Sequence, residues 1–171
     1  GRPVLLMDQD RARWDRLLIR RGLAALERAE ALCAGRGESL GPYALQAGIA
    51  ACHARAATPQ ATDWPRIVAL YDALAALSPS PVVAPNRAVA VGMAFGPAEA
   101  LPLVDALCAD PALKNYQWLP SVRGDLLARL DRCDEAKAEF ERAASLALNL
   151  RERELLIERA RAMADAGLRP P

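Results

Sequence analysis

The stretch from Gly124 to Ala143, GDLLARLDRCDEAKAEFERA, decides how the rest of the chain is read. Its small and apolar residues recur at intervals of three and four, a helical period, on both sides of the polar turn Asp131-Arg132-Cys133. Gly124 and Leu127 stand before the turn; Ala136, Phe140 and Ala143 stand after it. A small residue lets two helices cross closely, and a large one plugs the gap that the crossing leaves. Such a helix pair cannot bury its apolar sides alone, so it predicts neighbours of the same kind.

Those neighbours stand upstream. Ala100, Val104 and Leu107 occupy the same three slots 36 residues earlier, and Ala88 lies 36 residues before Gly124. Ile67, Tyr71 and Leu74 fill the slots a further 33 residues back, with Pro79 where that unit ends. Spacings near 34 with matching roles resemble the tetratricopeptide (TPR) pattern. The predicted fold is all-α: a TPR-like helical-hairpin array of about eight helices, stacked as a right-handed superhelix with a C-terminal capping helix.

Turn and cap residues place the elements. Residues 1–9, "PVLLM" followed by "DQD", read as an extended connector, with Asp8 or Asp10 as N-cap; residues 10–171 form the repeat domain. A first helix over about 10–34 has an apolar stripe of Trp14, Leu18, Gly22, Ala25, Ala29 and Leu32, closed by Gly35 and Gly37. Pro42 opens a second helix to about residue 56, and Thr62 or Asp63 caps a third that ends near Leu77. The loop around Thr58 is too long for a strict repeat, so the first unit is degenerate. Further helices fall at about 81–94, 97–109, 115–130, 133–147 and 151–166. Pro102 is expected to shorten or kink the start of its helix. The last helix is apolar at Leu155, Leu156, the Arg159 stem and Met163, as a cap over the end of the stack requires.

Composition narrows the function. The 171 residues are 53% hydrophobic but only 5% aromatic, which favours packed Ala- and Leu-rich helices over sheets. With 22 basic and 21 acidic residues the net charge is +1, without the basic excess that phosphate contacts demand, so direct nucleic-acid binding is disfavoured. No apolar run reaches the ~18 residues of a membrane span, and no signal peptide is visible. Cys33, Cys52, Cys108 and Cys133 are scattered and, with the single His53, make no zinc pattern. They read as small, mostly buried hydrophobes of a reducing cytoplasm, and no metal or cofactor is expected. The opening at Gly1, mid-phrase, suggests a fragment of a longer protein.

Candidate contact residues are few. Asn86 and Arg87 form a polar island on a first-type helix, the kind that lines the concave face of such stacks, and Arg123 lies 36 residues after Arg87. Arginines there either fork a carboxylate or pair internally with Asp105 or Asp125, and internal pairing is the favoured reading. Chaperone-type TPR domains clamp a terminal carboxylate; here Trp118 and Val122 stand where that clamp wants basic residues. Tyr43, Gln46 and Trp118 are polar-aromatic candidates for a groove, or packing residues with wet tips. Arg13, Arg16 and Arg20 are expected along one helix face, where they could meet DNA phosphate or an acidic partner surface, a solvated face being the favoured reading. His53 follows Cys52, but neighbours on a helix diverge by about 100°, so a hydrogen-bonded structural histidine is expected rather than a thiol–imidazole pair. No convergent acid, base and nucleophile group is visible, and the chain is read as non-catalytic.

Four phrases in order, LLMDQDRARWDRLLI (5–19), GPYALQAGIAACHARA (41–56), TDWPRIVALYDAL (62–74) and SPVVAPNRAVAV (80–91), carry a more specific resemblance. They resemble the C-terminal extension of one group of bacterial extracytoplasmic-function (ECF) sigma factors, from about Val4 to Ala166. The resemblance implies a cytoplasmic, TPR-like regulatory domain in a transcription initiation factor. Its implied partners are the sigma regions of the same polypeptide and, through the full-length protein, RNA polymerase. Promoter DNA would be met only by sigma regions that are absent from these residues. The runner-up is a generic TPR scaffold binding a peptide of an unrelated partner.

Overall fold

Short polar caps decide where each helix begins. The Asp15 carboxylate accepts hydrogen bonds from the Leu17 and Leu18 amides at 2.9 Å, and α1 runs Arg16–Arg36. Asp10 does the same for Ala12 at 3.0 Å, closing a separate 3-10 turn at Arg11–Arg13. Two caps five positions apart therefore split what the sequence suggests is one helix from residue 10. Gly37 ends α1 at φ +66°, with the Glu38 amide donating to the Cys33 carbonyl at 2.9 Å. Asp63, not Thr62, caps α3, accepting from the Arg66 amide at 3.0 Å.

The computed structural model describes residues 6–78, 80–114, 116 and 118–167. Among them are eight α-helices and no strand, as an array of helical hairpins requires. After α1 come α2 (Pro42–Arg55), α3 (Trp64–Leu77), α4 (Val83–Ala94), α5 (Pro97–Ala109), α6 (Trp118–Ala128), α7 (Cys133–Leu146) and α8 (Leu150–Gly167). The connector is not wholly extended: Leu6–Asp8 is a 3-10 turn, while residues 1–5, like Pro79 and residues 168–171, lie outside the described residues. The chain divides into two compact units, one ending at Ala90 and the other beginning at Val91.

In the C-terminal unit α5 packs on α6, α6 on α7 and α7 on α8. A Cβ added at Gly124 would stand 2.7 Å from Phe140 Cε1, so the ring fills the space a side chain would need. Ala100, Val104, Leu127, Ala136 and Ala143 are fully buried around the same crossings. The Phe140 ring is also covered by the Arg159 guanidinium of α8, 4.2 Å from the ring centroid, which pairs with Asp125 as well. Arg159, Leu156 and Ala160 thus dock α8 as the expected cap. Pro102 does not shorten α5, which runs unbroken from Pro97; its ring lies on the exposed side.

In the N-terminal unit α2 packs on α1 and α3. Here the close approach is Gly48 under Leu70, whose Cδ1 would be 3.3 Å from an added Cβ. Gly48 and Leu70 are 22 residues apart against 16 for Gly124 and Phe140, because a 3-10 turn at Pro59–Ala61 lengthens the loop. The plug therefore moves from Tyr71 to Leu70, and Tyr71 is only half-buried. The expected stripe of α1 does not face inward. Leu18 and Leu32 are 62% and 61% exposed and, within α1, only Leu26 is buried, since α1 packs chiefly on α2. Of the four cysteines, all free, only Cys52 is buried; the others are half-buried.

The two glycine sites differ in what can yield. Gly124→Ala sets a methyl against a fully buried aromatic ring covered by Arg159 and should lower stability by about 1–3 kcal/mol. Gly48→Ala meets the movable end of a leucine and gains helix propensity of about 1 kcal/mol, so it should be neutral or stabilising. Urea denaturation of the two variants checks the contrast.

Candidate functional site

Most of the groups that could bind a partner lie on α2, α3 and α4 of the N-terminal unit. Gln46 on α2, Tyr71 on α3 and Asn86 on α4 surround a cavity of about 390 Å³, with Ile49, Leu74 and Val83 among its apolar walls. Leu74 and Val83 belong to a buried cluster with Leu45, so the apolar walls are part of the unit's core. Burial pushes the Tyr71 phenol above its ordinary pKa, keeping the hydroxyl protonated. Tyr43, one helical turn before Gln46, is 88% exposed.

Arg87, beside Asn86, does not enter this cavity. Its guanidinium pairs with Asp72 of α3. In the C-terminal unit Arg123 pairs with Asp105 at 2.7 Å and with Glu139 at 3.0 Å. Asp72 and Asp105 are 33 residues apart and the two arginines 36, so the ion pair recurs with the repeat. Asp125, the alternative partner weighed for Arg123, is held by Arg159 instead. Both arginines are thus used between adjacent helices, and partly exposed pairs of this kind contribute about 0–1 kcal/mol each. Trp118 is the first residue of α6, half-exposed, in the C-terminal unit.

The basic run at the N-terminus separates into two roles. Arg13, Arg16 and Arg20 are exposed, but Arg13 sits on the 3-10 turn ahead of α1, so only Arg16 and Arg20 share a helix face. Arg11, not among the expected contact residues, turns inward and is only 6% exposed. One of its terminal nitrogens donates to the His53 carbonyl at 2.7 Å and the Ala56 carbonyl at 2.8 Å; the other donates to the Thr62 hydroxyl at 3.2 Å. These carbonyls end α2, where no amide of the helix can reach them, and a cation also suits the negative end of the helix dipole. The Trp14 ring stacks on the same guanidinium at 5.0 Å.

His53 sits in the α2–α3 corner, edge-on to Trp64 with ring centroids 5.2 Å apart. It is not hydrogen-bonded as expected: its Nδ1 is buried without a partner. Burial, and then the charge of Arg11, hold its pKa below the ordinary histidine value. Cys52 beside it is likewise no activated thiol, since burial raises its pKa. A second surface, almost wholly apolar, is a groove of about 320 Å³ between α1 and α2, where Leu18, Gly22 and Leu26 face Ala47, Ala50 and Ala54. Among the described residues no cluster of three or more metal-ligating side chains is present, and no helix is long and apolar enough to cross a membrane.

Comparison with known proteins adds one relative. A Rhizobium meliloti (strain 1021) protein described as uncharacterized protein R00370 is 47% identical over 152 residues, 89% of this chain and 34% of that protein. The chain thus spans about a third of the curated relative it matches. No family model and no solved structure matches the chain.

Two outcomes follow from the Arg11 corner. Arg11→Met strands two helix-end carbonyls and should cost about 3 kcal/mol of stability, measured by thermal unfolding. Because the folded state holds His53 below its unfolded pKa, its contribution is complete above about pH 6.5 and is lost as pH falls below that value. Stability of the native chain should therefore decline as pH falls below about 6.5, and His53→Gln should flatten the decline.

Proposed function

We propose that this chain is a non-catalytic interaction domain within a longer polypeptide, the TPR-like extension of a bacterial ECF sigma factor. The observation that carries the interaction role is the open apolar groove on α1 and α2. A chain in water gains by covering such a face, and Leu18 and Leu32 stand more than half exposed along α1. The sigma-factor assignment is supported by the four ordered phrases, two of which form the α1 and α2 segments that build this groove. The length of the Rhizobium relative, most of which lies outside the matched region, is compatible with it.

In this reading the sigma regions of the same polypeptide pack on the α1–α2 face, and the segment ahead of Asp10 sets the angle of approach. RNA polymerase and promoter DNA are engaged by the sigma regions, and the array holds them in a competent or an inhibited arrangement. The test is promoter-dependent transcription by the longer polypeptide, intact, cut after Asp8, or carrying Leu18→Asp. Both changes should shift transcription in the same direction, the substitution by a smaller factor. Equal transcription from all three would sink the reading and favour a scaffold for an unrelated peptide.

A further inference from the structure

We propose that the cavity of Gln46, Tyr71 and Asn86 is a small-molecule site for a neutral polyol the size of one sugar ring. This goes beyond the interaction role: it gives the domain a soluble ligand, whichever longer polypeptide carries it.

Neutral hydrogen-bonding groups define the ligand's polar side. Gln46 and Asn86 bring carboxamides to the cavity, and Tyr71, Ser78 and Ser80 bring hydroxyls. Every one of these groups both donates and accepts. The Ser80 hydroxyl oxygen accepts from the Val82 amide at 3.3 Å, which leaves its proton to donate. Burial keeps the Tyr71 phenol protonated. The side chains of Gln46, Tyr71 and Asn86 make no hydrogen bond to another described residue, so their bonding capacity is open to a ligand. A ligand hydroxyl likewise donates and accepts at once, and hydroxyls on adjacent carbons match the N–H and C=O of one carboxamide. A polyol therefore uses the whole set. An apolar molecule would strip water from these groups and replace none of it.

Charge and shape narrow the class. None of the described residues that line the cavity is charged, and Arg87 alongside is paired with Asp72. A phosphate, carboxylate or ammonium group would lose its hydration there without gaining a counter-charge. Ile49, Leu74 and Val83, with the Tyr71 ring, give an apolar wall for the C–H face of a sugar ring. At about 390 Å³ the cavity lies at the low end of ligand pockets, roughly 300–1,000 Å³, with room for one ring. The site also touches the docking face. Helix α2 turns Gln46 and Ile49 to the cavity and Ala47, Ala50 and Ala54 to the α1–α2 groove.

The test is an NMR titration of the ¹⁵N-labelled 171-residue chain with methyl β-D-glucopyranoside, methyl β-D-galactopyranoside and myo-inositol. At least one of the three should give saturable shifts of the Gln46 and Asn86 side-chain amides at millimolar concentration. Its binding should be about fivefold weaker in Asn86→Ala and in Gln46→Ala, each of which removes hydrogen bonds to the ligand. Both residues are exposed, so both variants should keep the native melting temperature. The charged analogues gluconate and glucosamine should not bind. Three results would each overturn the proposal: no saturable shift from any neutral polyol up to about 50 mM, unchanged affinity in both variants, or equal binding of a charged analogue. Saturable shifts from the peptide acetyl-Ala-Leu-Val-Ala-amide and from none of the polyols would overturn it too. A failed sigma-factor reading shows in transcription and leaves this titration unaffected.

Discussion

The closest approach between helices is the constraint on which the rest of the structure depends. Helices whose side chains interleave normally stay about 8–10 Å apart. Where one helix carries glycine and its partner a large apolar residue, the pair draws in and locks laterally. Gly124 under Phe140 and Gly48 under Leu70 are the two such locks, one in each unit. Gly92 makes a third close passage, where an added Cβ would stand 3.0 Å from Leu126. The recurring ion pairs, Arg87 with Asp72 and Arg123 with Asp105, each lie across adjacent helices within their own unit. They are too exposed to contribute much energy, and their effect is to fix register.

Stability and binding capacity are distributed unevenly over the molecule. The C-terminal unit closes its own end: α8 covers α7, and Arg159 covers the one phenylalanine in the core. The N-terminal unit instead keeps an apolar face of α1 open and a polar-rimmed cavity between α2, α3 and α4. The displaced plug links fold to function in that unit. Gly48 meets Leu70 rather than Tyr71, and the tyrosine ring stands at the cavity wall. Tyr71 still packs on the cluster of Leu45, Leu74 and Val83 while its ring lines the cavity.

Arg11 shows how a helix end can recruit a distant cation. The last carbonyls of α2 precede a loop too irregular to satisfy them, and no glycine cap follows Arg55. An arginine more than forty residues away supplies the donors, and this ties the N-terminal turn to the α2–α3 corner. The same charge disfavours protonation of His53, so one residue couples the N-terminal segment to the electrostatics of the corner.

By itself the sequence determined the helical class, the number and order of helices and most of their ends. These follow from local physics: apolar residues at three- and four-residue intervals, Asp and Gly caps, and proline in first turns. The spacing of Ala100 and Ala136, with Val104 and Phe140 behind them, was also legible, because packing two helices leaves a mark in each. What only the tertiary structure decided is which apolar face has a partner. The stripe of Leu18 and Leu32 has a sound helical period, yet a period cannot tell a buried stripe from an open one. Nor does it place Arg11 inside and Arg13 outside, since that choice depends on carbonyls left free at the end of α2. The cavity of Gln46, Tyr71 and Asn86 was named in the sequence only as separate residues. Its assembly required three helices, and which residue of α3 meets Gly48 is a property of their packing rather than of any one of them.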